Sequence, residues 1–377
     1  MKKVAFISSV PYALDVFMRE NISSCARYCQ VSLITSPKDI KILNNLNAKL
    51  ISSDIKRKPS LLTDVILFIH LIRLFRQGKY DLIHSITPKA GFFSMLIGWL
   101  CRVPVRVHSF TGQVWFNKTG LNRFFLKCCD RMIVLFSTHI LVDSPSQLTF
   151  LKNERVLTKG IVIGKGSICG VNSKKFHPNV SARIEIRKKL KIRKNDKVIL
   201  FIGRLNTDKG ILDLAKAFMS LLPEYNSLFL LIVGQEENIT HKSLENFFGK
   251  HMDRVRLQGF TKTPEKFMAA ADVFCLPSYR EGFGQVLIEA AASGLPSIAT
   301  KIYGITDAIE DKKSGILVPV NDTLALRKAL LQVLFNKSLS RKMGKYARQR
   351  ALKFFSSKFV ASEMKKFYKN TLKSCNS

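Results

Sequence analysis

Pro277-Ser278-Tyr279-Arg280-Glu281-Gly282-Phe283-Gly284-Gln285-Val286-Leu287-Ile288-Glu289-Ala290 follows directly on the apolar run Val273-Phe274-Cys275-Leu276. A short apolar run, a glycine-rich turn and then apolar residues at helical spacing read as buried strand, loop and helix. Gly282 and Gly284 let main-chain N–H groups at the new helix's N-terminus face an anion, where the helix dipole also favours negative charge. Glu281 stands before the turn and Glu289 inside the helix. Glu289 reads either as a buried structural carboxylate or as an acid reaching toward a ribose diol. Glu281 reads either as an exposed loop acid or as a ligand contact.

The same grammar occurs upstream in Phe201-Ile202-Gly203-Arg204-Leu205-Asn206-Thr207-Asp208-Lys209-Gly210. A strand delivers Gly203, where the absence of a side chain permits close backbone approach. Arg204 and Lys209 then flank a short loop. Two cations so placed can each give a phosphate a charge-assisted hydrogen bond of roughly 1.5–3 kcal/mol. Exposed surface cations are the alternative reading of this spacing.

Working outward, short apolar strands alternate with helix-like stretches along the whole chain. Strands are expected at Val4–Ser8, Gln30–Thr35, Leu82–His84, Val105–His108, Thr138–Val142 and Ile161–Ile163. A second series is expected at Val198–Ile202, Leu228–Val233, Val255–Gln258, Val273–Leu276, Ser297–Thr300 and Gly315–Val318. Such alternation implies α/β architecture with parallel sheets covered on both faces. The 377 residues suit two domains of roughly 150–200 residues each. The glycine-rich segment from Gly164 to Asn172 lies between the halves, so the hinge is placed near residues 165–180 and the domains at 1–170 and 171–377, with the last helix crossing back to the first. Two doubly wound Rossmann-like domains are thus expected to face a central cleft.

Taken in order, Gly-Arg-Leu-x-x-x-Lys-Gly and Leu-Pro-Ser-x-x-Glu-Gly-Phe-Gly-x-x-x-x-Glu-Ala resemble the GT4 family of retaining glycosyltransferases with the GT-B fold. Val233-Gly234, Gln258-Gly259-Phe260 and Ala291-x-x-Gly294-x-Pro296 add to the resemblance, which covers about residues 160–335 most fully. It implies that Arg204 and Lys209 hold the donor diphosphate in place of a metal ion. Glu281 would contact the donor sugar, Glu289 the ribose, and Gly259 and Phe260 the base. Gly203 and the amides of Phe283 and Gly284 would complete the donor side. On the acceptor side the resemblance points to His84, His108, Thr111 and Gly112. Many relatives carry His-Gly where Thr111-Gly112 stands, and Gly-Gly where Ser8-Ser9-Val10-Pro11-Tyr12 stands. No Asp-x-Asp triplet occurs, so neither a metal nor another cofactor is expected.

Composition bounds these readings. Hydrophobic residues make up 46% and charged residues 23%, which excludes a disordered, collagen-like or coiled-coil chain. Lys and Arg number 61 against 27 acids, a formal charge of +34 that favours anionic partners. The cations are dispersed, with the densest group at Arg187, Lys188, Lys189, Lys191, Arg193 and Lys194. Cys101, Cys128, Cys129 and Cys275 lie in apolar stretches, as in a reduced cytoplasmic protein. No apolar run reaches the ~20 residues of a membrane span. Leu61–Arg76 and Leu121–Met132 do mix cations with bulky apolar residues at helical spacing, which fits either core helices with basic edges or interfacial helices.

The resulting expectation is a metal-independent transferase, peripheral on the inner face of the plasma membrane. It would move a sugar, an N-acetylhexosamine or related hexose, from a UDP-linked donor to a saccharide on undecaprenyl diphosphate in O-antigen, capsule or glycan assembly. A sugar-nucleotide epimerase of the same fold and a basic nucleic-acid-binding protein are the alternatives. No recognised nucleic-acid-binding module is visible.

Overall fold

The computed structural model describes residues 1–56 and 60–374 and divides into two compact units. The first unit comprises Met1–Gly170 together with the terminal helix Ser357–Lys373, and the second spans Val171–Ser356.

Seven parallel strands build the first unit: β1 (Lys3–Ile7), β2 (Gln30–Thr35), β3 (Lys49–Ser52), β4 (Leu82–Ser85), β5 (Val105–Phe110), β6 (His139–Val142) and β7 (Ile161–Val162). Their spatial order is β3-β2-β1-β4-β5-β6-β7. In register, Phe6 pairs with Leu33 on one side and His84 on the other. The central strands are apolar on both faces, as a parallel sheet covered by helices on each side requires. Helices Pro11–Cys25 and Ser357–Lys373 pack on one face. Helices Leu61–Gly78, Pro88–Leu100 and Gly120–Phe136 lie side by side on the other.

The second unit holds β8 (Lys197–Ile202), β9 (Leu228–Val233), β10 (Val255–Gln258), β11 (Val273–Leu276), β12 (Ser297–Thr300) and β13 (Gly315–Val318), ordered β10-β9-β8-β11-β12-β13 and all parallel. Each residue of β9, Leu-Phe-Leu-Leu-Ile-Val, is buried. Helix starts follow local chemistry. Asn179 accepts from the Ala182 N–H, and Asp322 from the Ala325 N–H, each taking up a donor that the first helical turn leaves open.

Every expected strand forms, six with the expected ends and the rest with ends shifted by one or two residues. Strand β3 was not expected. Lys49-Leu50-Ile51-Ser52 is a half-buried edge strand too short to show alternation. The dense basic run also proves partly structural. Arg187 is buried against the Asp272 carboxylate at 2.8 Å and donates to the carbonyls of Ala270, Arg193 and Asp196. The seven cysteines among the described residues form no disulfide, and Cys375 lies outside them. No described helix is long and apolar enough to cross a membrane.

Candidate functional site

In the second unit the strand order reverses between β8 and β11. Connections leaving two such neighbours diverge to opposite faces, which opens a crevice at their carboxyl ends. β8 brings Gly203–Gly210 to this point and β11 brings Pro277–Gly284, so the two motifs meet because of topology.

They meet by an ion pair. Lys209 Nζ lies 2.5 Å from Glu281 Oε1, and Ser278 Oγ donates to the same oxygen at 3.0 Å. Their side chains are only 18% and 11% exposed, so the pair is shielded far more than a surface salt bridge. The loops that carry them are tied together. The Tyr279 N–H donates to the Asp208 carbonyl at 2.8 Å, and Arg280 reaches the Asp208 carboxylate at 3.0 Å. The Asn206 side chain accepts from the Lys209 N–H at 3.1 Å. Gly210 has φ +66°, and a Cβ placed on it would lie 2.0 Å from the Pro277 carbonyl oxygen. Any other residue there would push the loops apart.

Arg204 is exposed beside this pair, with Nη1 2.7 and 2.9 Å from the two oxygens of Glu237. Asn206 Nδ2 donates to Glu237 as well. Glu237 was not singled out in the sequence. It follows Gly234 at the end of β9, so a carboxylate in the loop of the neighbouring strand was the available signal. Gly203 and Gly234 abut, since a Cβ on Gly234 would meet the Gly203 carbonyl oxygen at 1.7 Å.

Helix Gln285–Ala292 begins at Gly284, whose φ is +78°. The Phe283 ring is buried edge-on against Phe355, so Phe283 brings only main-chain groups to the loop. Glu289 is the fifth residue of the helix. Burial of its carboxyl raises its pKa to about 7, opposed by the Lys175 charge and a hydrogen bond from Gln285. Gly259 and Phe260 lie at the end of edge strand β10, separated from β8 by one intervening strand, or about 10 Å. They line a cleft of about 320 Å³ with Lys189, Thr263 and Phe267, and Lys266 pairs with Glu185 at 3.0 Å on its wall.

The first unit reverses between β1 and β4. Hydroxyls gather at that point. The Ser9 N–H donates to Thr87 Oγ1 at 2.8 Å, and Thr87 Oγ1 donates to Ser9 Oγ at 3.0 Å. Thr111 and Gly112 follow β5 at the same edge, half-buried, with Gly112 at φ +115°. The expected acceptor roles of His84 and His108 do not fit their positions. Both rings are buried in the sheet. His84 Nδ1 lies 2.6 Å from Tyr368 Oη and its Nε2 2.7 Å from Ser109 Oγ, while His108 Nδ1 lies 2.8 Å from Ser85 Oγ. Burial lowers both pKa values to about 3, with the neighbouring His108 adding to the effect on His84, so both rings stay neutral. They are core residues that pin the strand ends and the terminal helix.

Residues 182–350 match the sequence model of the family described as glycosyl transferases group 1. A D-inositol 3-phosphate glycosyltransferase of Corynebacterium diphtheriae is 32% identical over 73% of this chain and 67% of its own. The chain belongs to the GT4 family of glycosyltransferases. It is accordingly a glycosyltransferase. A capsular polysaccharide biosynthesis glycosyltransferase, CapM, of Staphylococcus aureus is 28% identical over 89% of this chain and 88% of its own. A UDP-Gal:alpha-D-GlcNAc-diphosphoundecaprenol alpha-1,3-galactosyltransferase of Escherichia coli is 28% identical over 75% and 74%. Among solved structures, sucrose-phosphate synthase of Thermosynechococcus elongatus superposes with a TM-score of 0.83 at 23% identity, covering 99% of this chain and all of that one. The GT-B fold follows. The family match spans every residue that the sequence reading expects on the donor side, from Gly203 to Glu289.

Proposed function

We propose that this glycosyltransferase moves a sugar from a UDP-sugar to a saccharide carried on a lipid diphosphate, with retention at the anomeric carbon. The observation that carries the reading is the shielded Lys209–Glu281 pair at the β8/β11 reversal, with Arg204 beside it. A nucleoside diphosphate laid there meets two cations, both already ordered by carboxylates. It competes with Glu237 for Arg204 and with Glu281 for Lys209. The main-chain N–H groups after Gly284 add the positive end of a helix. Glu289 faces the ribose and the cleft at Gly259–Phe260 takes the base. Glu281, released from Lys209, accepts from the donor sugar's hydroxyls.

In the reaction the acceptor hydroxyl oxygen bonds to the anomeric carbon as the bond to the diphosphate oxygen breaks. The leaving diphosphate takes the acceptor's proton. Its growing charge is stabilised by Arg204 and Lys209, so preorganised electrostatics is the principal catalytic effect and no metal is required. An N-acetylhexosamine or related hexose as the donor sugar, and assembly of capsule, O-antigen or a related glycan as the setting, fit the kinds of protein the chain is similar to.

Nucleoside diphosphate release in EDTA, with a panel of UDP- and GDP-sugars and diphosphate-linked lipid saccharides, tests this. The expected result is release from one UDP-sugar that depends on the lipid-linked acceptor. No release with any donor, together with salt-sensitive nucleic-acid binding, would overturn it.

A further inference from the structure

Three cations gather where β8 and β11 deliver their loops, and each faces a carboxylate. Arg204 meets Glu237 at 2.7 Å and Lys209 meets Glu281 at 2.5 Å. Arg280 meets Asp208, with Nη2 3.0 Å and Nε 3.4 Å from the same oxygen. The second and third pairs stand side by side, because Asp208 and Lys209 are consecutive on one loop and Arg280 and Glu281 on the other. The third pair is half-shielded from water, Arg280 being 23% and Asp208 35% exposed.

In the donor complex proposed above, Glu237 gives up Arg204 to the diphosphate and Glu281 turns to the donor sugar. Asp208 has no such exchange. It is a fixed anion one residue from Lys209, and neighbouring Cα atoms are only about 3.8 Å apart. A charge so placed acts on whatever Lys209 holds, since screening at ordinary salt sets in only over about 8–10 Å.

Arg280 is not needed to hold the two loops together. The Tyr279 N–H already donates to the Asp208 carbonyl at 2.8 Å, and the Tyr279 hydroxyl donates to Asp213, in the first turn of helix Ile211–Met219. Thr300 Oγ1 donates to the Ser278 carbonyl, and the Asn206 side chain accepts from the Lys209 N–H. With main chain and hydroxyls making the tie, a partly exposed ion pair adds little to stability. What the guanidinium adds is positive charge opposite Asp208.

We infer that Arg280 is a positioning residue for the donor: it neutralises Asp208, so that an arriving diphosphate meets Lys209 and Arg204 without a facing anion. A freed Asp208 repels the diphosphate and competes with it for Lys209. The inference rests on the diphosphate site proposed above. A tether and a neutralising charge behave differently in pairs of substitutions. Cutting both ends of a tether recovers nothing, whereas removing a neutralising cation does harm only while its anion remains.

Calorimetric titration of UDP into the whole chain in EDTA reads the difference, each variant being titrated where it is folded. Arg280→Gln should weaken UDP by about fivefold, and less at high salt. Arg280→Lys, which keeps the charge, should bind as the wild type does. Asp208→Asn alone should bind at least as tightly as the wild type. Combined with Arg280→Gln, it should bring the affinity back to within about twofold of the wild type. Two results would overturn the inference. If the double variant stays as weak as Arg280→Gln, the pair is a tether. If Arg280→Gln binds UDP as the wild type does, Asp208 has no influence on the site. Lys209→Ala, titrated alongside, then separates the two readings: a loss there leaves the diphosphate site standing without Arg280, and no loss removes both.

Discussion

At the scale of single residues, Glu289 separates the proposed donor role from a purely structural one. Its pKa of about 7 means that the acid and the carboxylate are comparably populated near neutral pH. A ribose diol donates to the carboxylate, so donor binding should strengthen as pH rises through 7. From pH 6 to pH 8 the ionised fraction grows by roughly tenfold, and the donor KM should fall by up to that factor. Stability moves the other way. A carboxyl whose pKa is raised by folding favours the native state below its unfolded value near 4.5, and that contribution is lost as pH rises toward 7. Glu289→Gln should therefore flatten the KM profile. A profile unchanged in the variant would assign Glu289 to packing alone. The family resemblance pointed to Arg204 and Lys209, whose spacing alone also fits surface cations, whereas Glu237 was not singled out. Its role depends on β9 lying next to β8, and adjacency in the sheet is not written in the loop that carries it.

At the scale of elements, the segment after β5 is held by buried polar pairs, Gln113 with Gln147 and Trp115 with Asp130. Trp115 is fully buried, stacked on Phe150, and its Nε1–H donates to Asp130 Oδ2 at 2.6 Å. Asp130 sits on helix Gly120–Phe136, and burial raises its carboxyl to about 7 despite that hydrogen bond. Trp115→Phe should leave this acid without its donor and cost about 1–3 kcal/mol. Denaturant unfolding at pH 8, where the acid is most fully ionised, measures it. Asp130→Leu in the same chain should recover part of the loss. An unchanged midpoint in the single variant would mean that the pair contributes nothing. The helix itself was readable from its periodicity, as were the strands, because parallel strands buried on both faces are short unbroken apolar runs. Strand β3 escaped for the complementary reason, as a half-buried four-residue edge. The histidines at the ends of β4 and β5 misled, since a strand end suggests a site while the terminal helix, some 280 residues later, covers His84 with Tyr368.

At the scale of the molecule, one device repeats. Each unit is a parallel sheet whose strand order reverses once, and each reversal gathers the polar residues of otherwise apolar strands. The first gathers hydroxyls, and the second gathers a lysine, an arginine and their carboxylates. The central claim is that the cations at that reversal hold the donor diphosphate. Calorimetric titration of UDP in EDTA into the wild type and into Lys209→Ala tests it most directly. Losing one charge-assisted hydrogen bond, and leaving Glu281 without its cation beside the phosphate, should weaken UDP by about tenfold or more in a variant that is still folded at the titration temperature, with a lowered melting midpoint. Equal affinity in the two proteins would contradict the claim.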